Sequence, residues 1–191
     1  GSAGSRGFGG QPLAGHGRQP VRPRRWTRPV LAWGMFDAVD RKILERLRSE
    51  GRTTHAQLAK DTGLSAPAVG ERIRKLEQAG VILGYRAVLD PEKVGLPICA
   101  FVHIAPQPRK PAHALVERLL GLPEVEELHA VAGNYAFVAK VRVATPAALD
   151  TFLDRLYMLE GVERTETTMV LRTNVERAMA LPVPSASDAD A

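Results

Sequence analysis

Apolar positions begin to recur with a helical period at Phe36. Val39, Ile43, Leu44 and Leu47 fall at i, i+4, i+5 and i+8, with Arg41, Lys42, Glu45, Arg46 and Arg48 between them. That one-sided spacing predicts an amphipathic helix, with Gly51 as its C-terminal glycine. Thr54 and Gln57 have the spacing of a capping box, so a second, short helix is expected through Asp61, with Ala56, Leu58 and Ala59 as its small apolar contacts. Gly63 breaks it, and Leu64 is apolar in the turn. Ser65 is the next N-cap, and Pro67 falls in a first turn, where a missing N–H costs little. A third helix follows to Ala79, with Val69, Ile73 and Leu76 at i, i+4 and i+7, and Gly80 closes it. Two short helices across a tight turn, preceded by a longer support helix, make a helix-turn-helix pattern. Val81-Ile82-Leu83, a Gly84 turn and Arg86-Ala87-Val88-Leu89 read as a two-stranded wing, and Asp90-Pro91 is a turn that ends the domain.

The second half changes period. Ile98–Ile104 is a strand, 111–120 a helix carrying Leu115, Leu119 and Leu120, and 125–131 a strand. Gly133-Asn134 is a tight turn into a strand over 135–143, where Val141 and Val143 alternate with Lys140 and Arg142. Thr145-Pro146 opens a helix to Leu159 carrying Leu149, Phe152, Leu153 and Leu156; Gly161 ends it, and 162–171 is a last strand. The order βαββαβ is the ferredoxin-like split βαβ arrangement. The fold class expected is therefore α+β, a winged helix-turn-helix followed by a ferredoxin-like sheet domain. The divisions are 35–91 for the first domain, 92–97 for a linker, 98–175 for the second and 176–191 for a C-terminal tail.

Charge changes this picture less than the total suggests. The 191 residues carry +5, but residues 1–34 hold six arginines and no acid, which leaves −1 for 35–191. A nucleic-acid argument cannot rest on the overall charge, only on a local motif. Residues 1–34 are rich in Gly, Pro and Arg and show neither period, so disorder is expected there. Two readings compete: a basic arm that tracks phosphates, or residues left by cloning or by a start codon placed too far upstream, since Met35 directly precedes the first ordered pattern. No apolar run reaches the ~18–20 residues of a membrane span. The lone Cys99 lies in an apolar strand and reads as packing.

On the third helix, the apolar face of Val69, Ile73 and Leu76 leaves Pro67, Gly70, Glu71, Arg74, Lys75 and Gln78 opposite it. That face would enter a major groove, with Arg74 placed for guanine, Arg72 to the side for phosphate, and Ser65 with the helix-start N–H groups also suited to phosphate. A charge run can equally be a solvated face. Gly70 is costly in a helix interior; it either permits close approach to DNA or softens the helix.

Several separate stretches, in order, resemble the Lrp/AsnC family of transcription regulators. Phe36–Leu44 is similar to the family's opening helix, Gln57–Ser65 to its first helix and turn, and Arg72–Pro91 to its recognition helix, wing and linker. Ala132-Gly133-Asn134-Tyr135 and Gly161–Thr167 are similar to its sensing domain. The resemblance spans about 36–175. It implies a cytoplasmic regulator that binds double-stranded DNA, responds to a small metabolite, usually an amino acid, and assembles from homodimers into octamers through its sheet domains. It further implies an effector loop at Gly133, Asn134, Tyr135 and Ala136; an α-amino group there needs acceptors, for which Asn134 offers an amide oxygen and Thr167 and Thr168 on the last strand offer hydroxyls. The family commonly has acidic residues at this loop, and Ala136 has none to offer an ammonium. A plain hairpin remains the competing reading of Gly133-Asn134.

Catalysis is not expected. His16, His55, His103, His113 and His129 lack metal-ligand spacing, although His103 and His129 read as strand neighbours. There is no GxSxG, P-loop or GxGxxG motif, and no cofactor is implied. Two other readings share this architecture: a sirohaem-decarboxylase-like enzyme, and a sensing module that acts on a protein partner.

Overall fold

In the computed structural model, residues 36–182 are described. The basic segment 1–34, the start-site reading at Met35, His16 and residues 183–191 lie outside the described residues. Helix α1 spans Ala38–Ser49, α2 His55–Thr62 and α3 Ala66–Gln78. Each start is capped as its sequence dictates. Asp37 accepts the Asp40 N–H at 2.8 Å. Thr54 and Gln57 form a reciprocal capping box, and the Ser65 hydroxyl accepts the Ala68 N–H at 3.4 Å. Gly63 takes the left-handed conformation at φ 76° that lets α2 stop and the chain reverse into α3. Gly51, by contrast, follows α1 without a left-handed turn, and the cap is Glu50. Ile43, Leu58, Val69, Ile73 and Leu76 are the buried side chains of these three helices.

The wing expected over 81–89 is not formed: no strand occurs there among the described residues. The Val81 and Ile82 N–H groups both donate to the Leu76 carbonyl, and the chain then runs extended with Leu83, Val88 and Leu89 exposed. Two strands of three or four residues, without a third strand or a covering apolar surface, do not hold a ladder. The Asp90-Pro91 turn does form, with the Asp90 carboxylate accepting the Glu92 and Lys93 N–H groups.

The second half is built as its periods predict. Strand β1 is Ile98–Pro106, α4 Ala112–Leu120, β2 Val125–Ala130, β3 Phe137–Val143, α5 Pro146–Tyr157 and β4 Val162–Met169. The sheet order is β2-β3-β1-β4, and every pairing is antiparallel. One face is apolar: Ala100, Val102, Ile104, Phe137, Ala139, Val141 and Val143 pack with Leu115 and Leu119 of α4 and Leu149, Phe152 and Leu156 of α5. The register places Cys99, Phe101 and His103 on the other face, with Val138, Lys140 and Arg142 opposite them. Cys99 is buried, and burial pushes its thiol upward, as suits a packing residue.

The tight Gly133-Asn134 turn is instead a longer loop. The Val131 N–H donates to the Ala136 carbonyl at 2.9 Å, so residues 132–135 form the connection. Only Gly133 uses a positive φ, 150°, so a two-residue turn that needs positive φ at both central positions is not available.

Phe152 is fully buried at the centre of the sheet domain's core. Phe152→Ala is expected to lower unfolding free energy by about 3–5 kcal/mol. Urea unfolding checks this; a loss below about 1 kcal/mol would contradict the packing described.

Candidate nucleic-acid interface and effector loop

Helix α3 buries Val69, Ile73 and Leu76 and exposes Pro67, Glu71, Arg74, Lys75 and Gln78. Those exposed positions fall at i, i+4, i+7, i+8 and i+11, a continuous stripe along one side. The buried Val69, Ile73 and Leu76 turn that side outward, and Arg72 ties the helix to α1. Its Nη1 donates to Asp37 Oδ2 at 2.6 Å and to Asp40 Oδ1 at 2.8 Å, both in the first turn of α1. The bonds to Asp40 and Asp37 raise the guanidinium pKa, and the carboxyl pKa of Asp37 is lowered, first by its bond from the Asp40 N–H. Arg72 is therefore turned back to α1, where a phosphate contact would compete with two carboxylates. A second tie runs from Arg46 of α1 to Asp61 of α2 at 3.5 Å.

Arg74 lies within the exposed stripe and is held by Glu71. Its Nε donates to Glu71 Oε2 at 3.0 Å and its Nη2 to Oε1 at 2.6 Å. This side-on fork lowers the Glu71 pKa and raises that of Arg74. The charge of Lys75 also acts on Glu71. At the start of α3, Pro67 has no N–H and Ala68's is taken by Ser65. The donors left there are the Ala66 N–H and the Ser65 hydroxyl proton.

Gly70 has a neighbour that the sequence did not disclose. A Cβ at this position would stand 3.2 Å from His55 Nδ1 and 3.3 Å from its Cε1. His55, rather than open space, thus meets Gly70. Both line a cavity of about 330 Å³ beside α3, with Arg74, Glu77 and Tyr85 on its rim. The Tyr85 hydroxyl donates to Glu77 Oε1 at 3.1 Å and ties the extended segment to α3.

In the sheet domain, Gly133, Asn134, Tyr135 and Ala136 are neighbours in the β2–β3 loop, and the Ala136 N–H donates to the Ile104 carbonyl at 3.1 Å. Thr167 and Thr168 are not brought to that loop on a common face. Thr167 pairs with Val102 on the helix-covered side, whereas Thr168 pairs with Phe101 on the other. The β4 residues that do reach the loop are Glu166 and Arg164. The Tyr135 hydroxyl donates to Glu166 Oε2 at 2.7 Å, and the Arg164 guanidinium lies 4.7 Å from the centre of the Tyr135 ring. The His103 ring centre is 5.6 Å from that of Tyr135.

His103 and His129 are not adjacent strand neighbours: both pair with Val138 from opposite sides. Two strand spacings, about 9–10 Å, separate their backbones, with Val138 between them. Among the described residues no group of three or more His, Cys, Asp or Glu side chains is placed to hold a metal ion, and no helix is long and apolar enough to cross a membrane. Elsewhere on that face Lys140 contacts Glu176, with Glu126 and Glu127 at 3.5 and 3.6 Å. The pairs Arg72–Asp40, Tyr135–Glu166 and Lys140–Glu176 are not legible in the sequence. Each joins positions thirty or more residues apart. The Asp37-x-x-Asp40 spacing carries a local signal, that of an N-cap, and none of the long-range pairing.

Known proteins agree with this layout. Residues 36–82 match the family model described as winged helix-turn-helix DNA-binding, and 99–180 match the Lrp/AsnC ligand binding domain. The chain is 36% identical over 150 residues to the HTH-type transcriptional regulator FL11 of Pyrococcus furiosus, covering 78% of this chain and 98% of that one. It is 42% identical over 139 residues to the regulator LrpA of Mycobacterium tuberculosis, covering 72% and 91% respectively. The solved feast or famine regulatory protein of M. tuberculosis, complexed with L-methionine, aligns with TM-score 0.72 at 40% identity, over 76% of this chain and 99% of that one.

Two outcomes test this geometry. His55 is exposed at the end of its side chain, so Gly70→Ala, with the ring displaced by a few tenths of an ångström, is expected to raise stability by up to about 1 kcal/mol through helix propensity. Thermal unfolding checks it; a loss would mean the ring cannot yield. The second concerns acid. The folded-state pKa of Asp37 lies below its ordinary 3.8, so its contribution is complete above that pH and is lost as pH falls through the lowered value. Between pH 5 and pH 2, melting temperature should fall less in Asp37→Asn than in wild type; parallel curves would contradict the Asp37–Arg72 tie.

Proposed function

The chain belongs to the Lrp/AsnC family of DNA-binding transcription regulators, and we propose that α3 reads a specific sequence in the major groove while the sheet domain senses an amino acid. The exposed stripe of α3 carries this reading: Pro67, Glu71, Arg74, Lys75 and Gln78 face outward from a helix that Arg72 ties to α1. Arg74 is the base reader and Lys75 a phosphate contact, while Ser65 and the Ala66 N–H meet the backbone near the helix start. Gly70 supports the site through His55, and Arg72 acts by holding α3 rather than by touching DNA. The same elements support a division into a reader over 35–91 and a sensor over 98–175. A homodimer assembling further through the sheet domains, in the cytoplasm, fits the family.

For the effector we propose an α-amino acid at the Gly133–Ala136 loop. The related M. tuberculosis protein was solved with L-methionine, and in this chain Glu166 stands at Tyr135, where the loop itself has no carboxylate. An ammonium needs such an acceptor, and Arg164 beside it suits the carboxylate end. Thr168 shares the face of Glu166 only at the next outward position, and Thr167 points to the core side, so neither leads the site.

Arg74→Ala is expected to reduce discrimination between the duplex upstream of the chain's own gene and a scrambled one by about 1–3 kcal/mol. Lys75→Ala should weaken both alike and lower the salt slope by about 1. Weak, equal binding to both duplexes and to genomic fragments by the wild-type chain would move the decarboxylase-like and partner-sensing readings forward. Calorimetry with L-methionine, then the other amino acids, tests the sensor: binding weakened by Glu166→Gln is expected, and no heat with any of them removes the effector proposal.

A further inference from the structure

Glu71 is an anomaly on a face meant for a polyanion. It is exposed within the α3 stripe, where a carboxylate opposes phosphate and lowers affinity for any DNA. Its geometry gives a reason for its presence. An arginine has five N–H donors in a rigid fork. Glu71 takes the Nε donor and one Nη2 donor of Arg74, at 3.0 and 2.6 Å. The end-on edge, with both Nη1 hydrogens and the second Nη2 hydrogen, is left available. Guanine O6 and N7 accept two parallel N–H bonds, and that edge supplies them. An untethered arginine would instead reach whichever phosphate oxygen lay nearest.

We infer that Glu71 is a specificity-determining residue that positions Arg74, holding the guanidinium side-on so that its end-on edge is presented to a guanine. This rests on the reading of α3 as the DNA-contacting helix. Glu71 itself touches no base in this arrangement. It trades general affinity for selectivity: it repels phosphate and commits Arg74 to one orientation.

The experiment is selection of bound duplexes from a randomised double-stranded pool by the full chain and by Glu71→Ala, Glu71→Gln and Arg74→Ala. Circular dichroism melts confirm that each variant is folded. Wild type should select guanine at one position per half-site, and Arg74→Ala should lose that preference. Glu71→Ala should lower the same preference at least ~5-fold, the lower end of what one bidentate base contact is worth, while binding to the unselected pool stays equal or tightens. Glu71→Gln keeps one acceptor oxygen and should be intermediate. Unchanged guanine preference in Glu71→Ala, with or without tighter binding to every duplex, would overturn the inference and leave Glu71 as a repelling charge. If Arg74→Ala itself keeps every preference, the underlying reading of Arg74 as base reader falls instead.

Discussion

One nitrogen of Arg72 donates to two carboxylates of α1, Asp37 and Asp40, and ties α3 to α1 beside its exposed stripe. The close-packed apolar side of α3 sets which way the helix faces, and the ion pair adds a tie with fixed donors and acceptors at its edge. Arg72 lies between the buried Ile73 and the exposed Glu71, at the border of the outward stripe. Asp37 serves two ends at once, as N-cap of α1 and as acceptor for Arg72. Substituting Arg72 would leave Asp40, the more covered of the two, beside the apolar side of α3 without its cation.

The sheet domain follows a different logic. Its helices cover one face and leave the other with a mixed charge pattern, in which Lys140 and Arg142 of β3 meet Glu126 of β2 and Glu176 of the C-terminal segment. The loop after β2 projects its aromatic residue across β1 to β4. Tyr135 thereby gathers His103, Arg164 and Glu166 into one cluster. An amino acid offers both an ammonium and a carboxylate. The cluster offers Glu166 and Arg164, one for each.

Local rules made much of the architecture legible. The capping box at Thr54, the Ser65 cap and Gly63 act within four residues, and sequence spacing reports them directly. The alternation in β3 likewise revealed which face was polar. The wing failed because strand propensity over Val81–Leu89 says nothing about a partner, and the exposure of Leu83, Val88 and Leu89 shows that none covers them here. The Gly133-Asn134 turn failed because composition marks a reversal without giving its length. The candidate site was legible as a helix face but not as a network. Sequence alone makes Arg72 a phosphate contact because its partners lie in another helix, and it groups Thr167 with Thr168 although adjacent strand positions face opposite ways.

Whether α3 or the arginine-rich segment before it meets DNA is decided most directly by hydrogen exchange of the full chain, with and without the duplex from upstream of its own gene. Slower exchange over residues 65–78 is the expected result, since the stripe from Pro67 to Gln78 would be covered and α3 held against opening. Protection confined to residues 1–34, with α3 unchanged, would contradict a reader built on that helix.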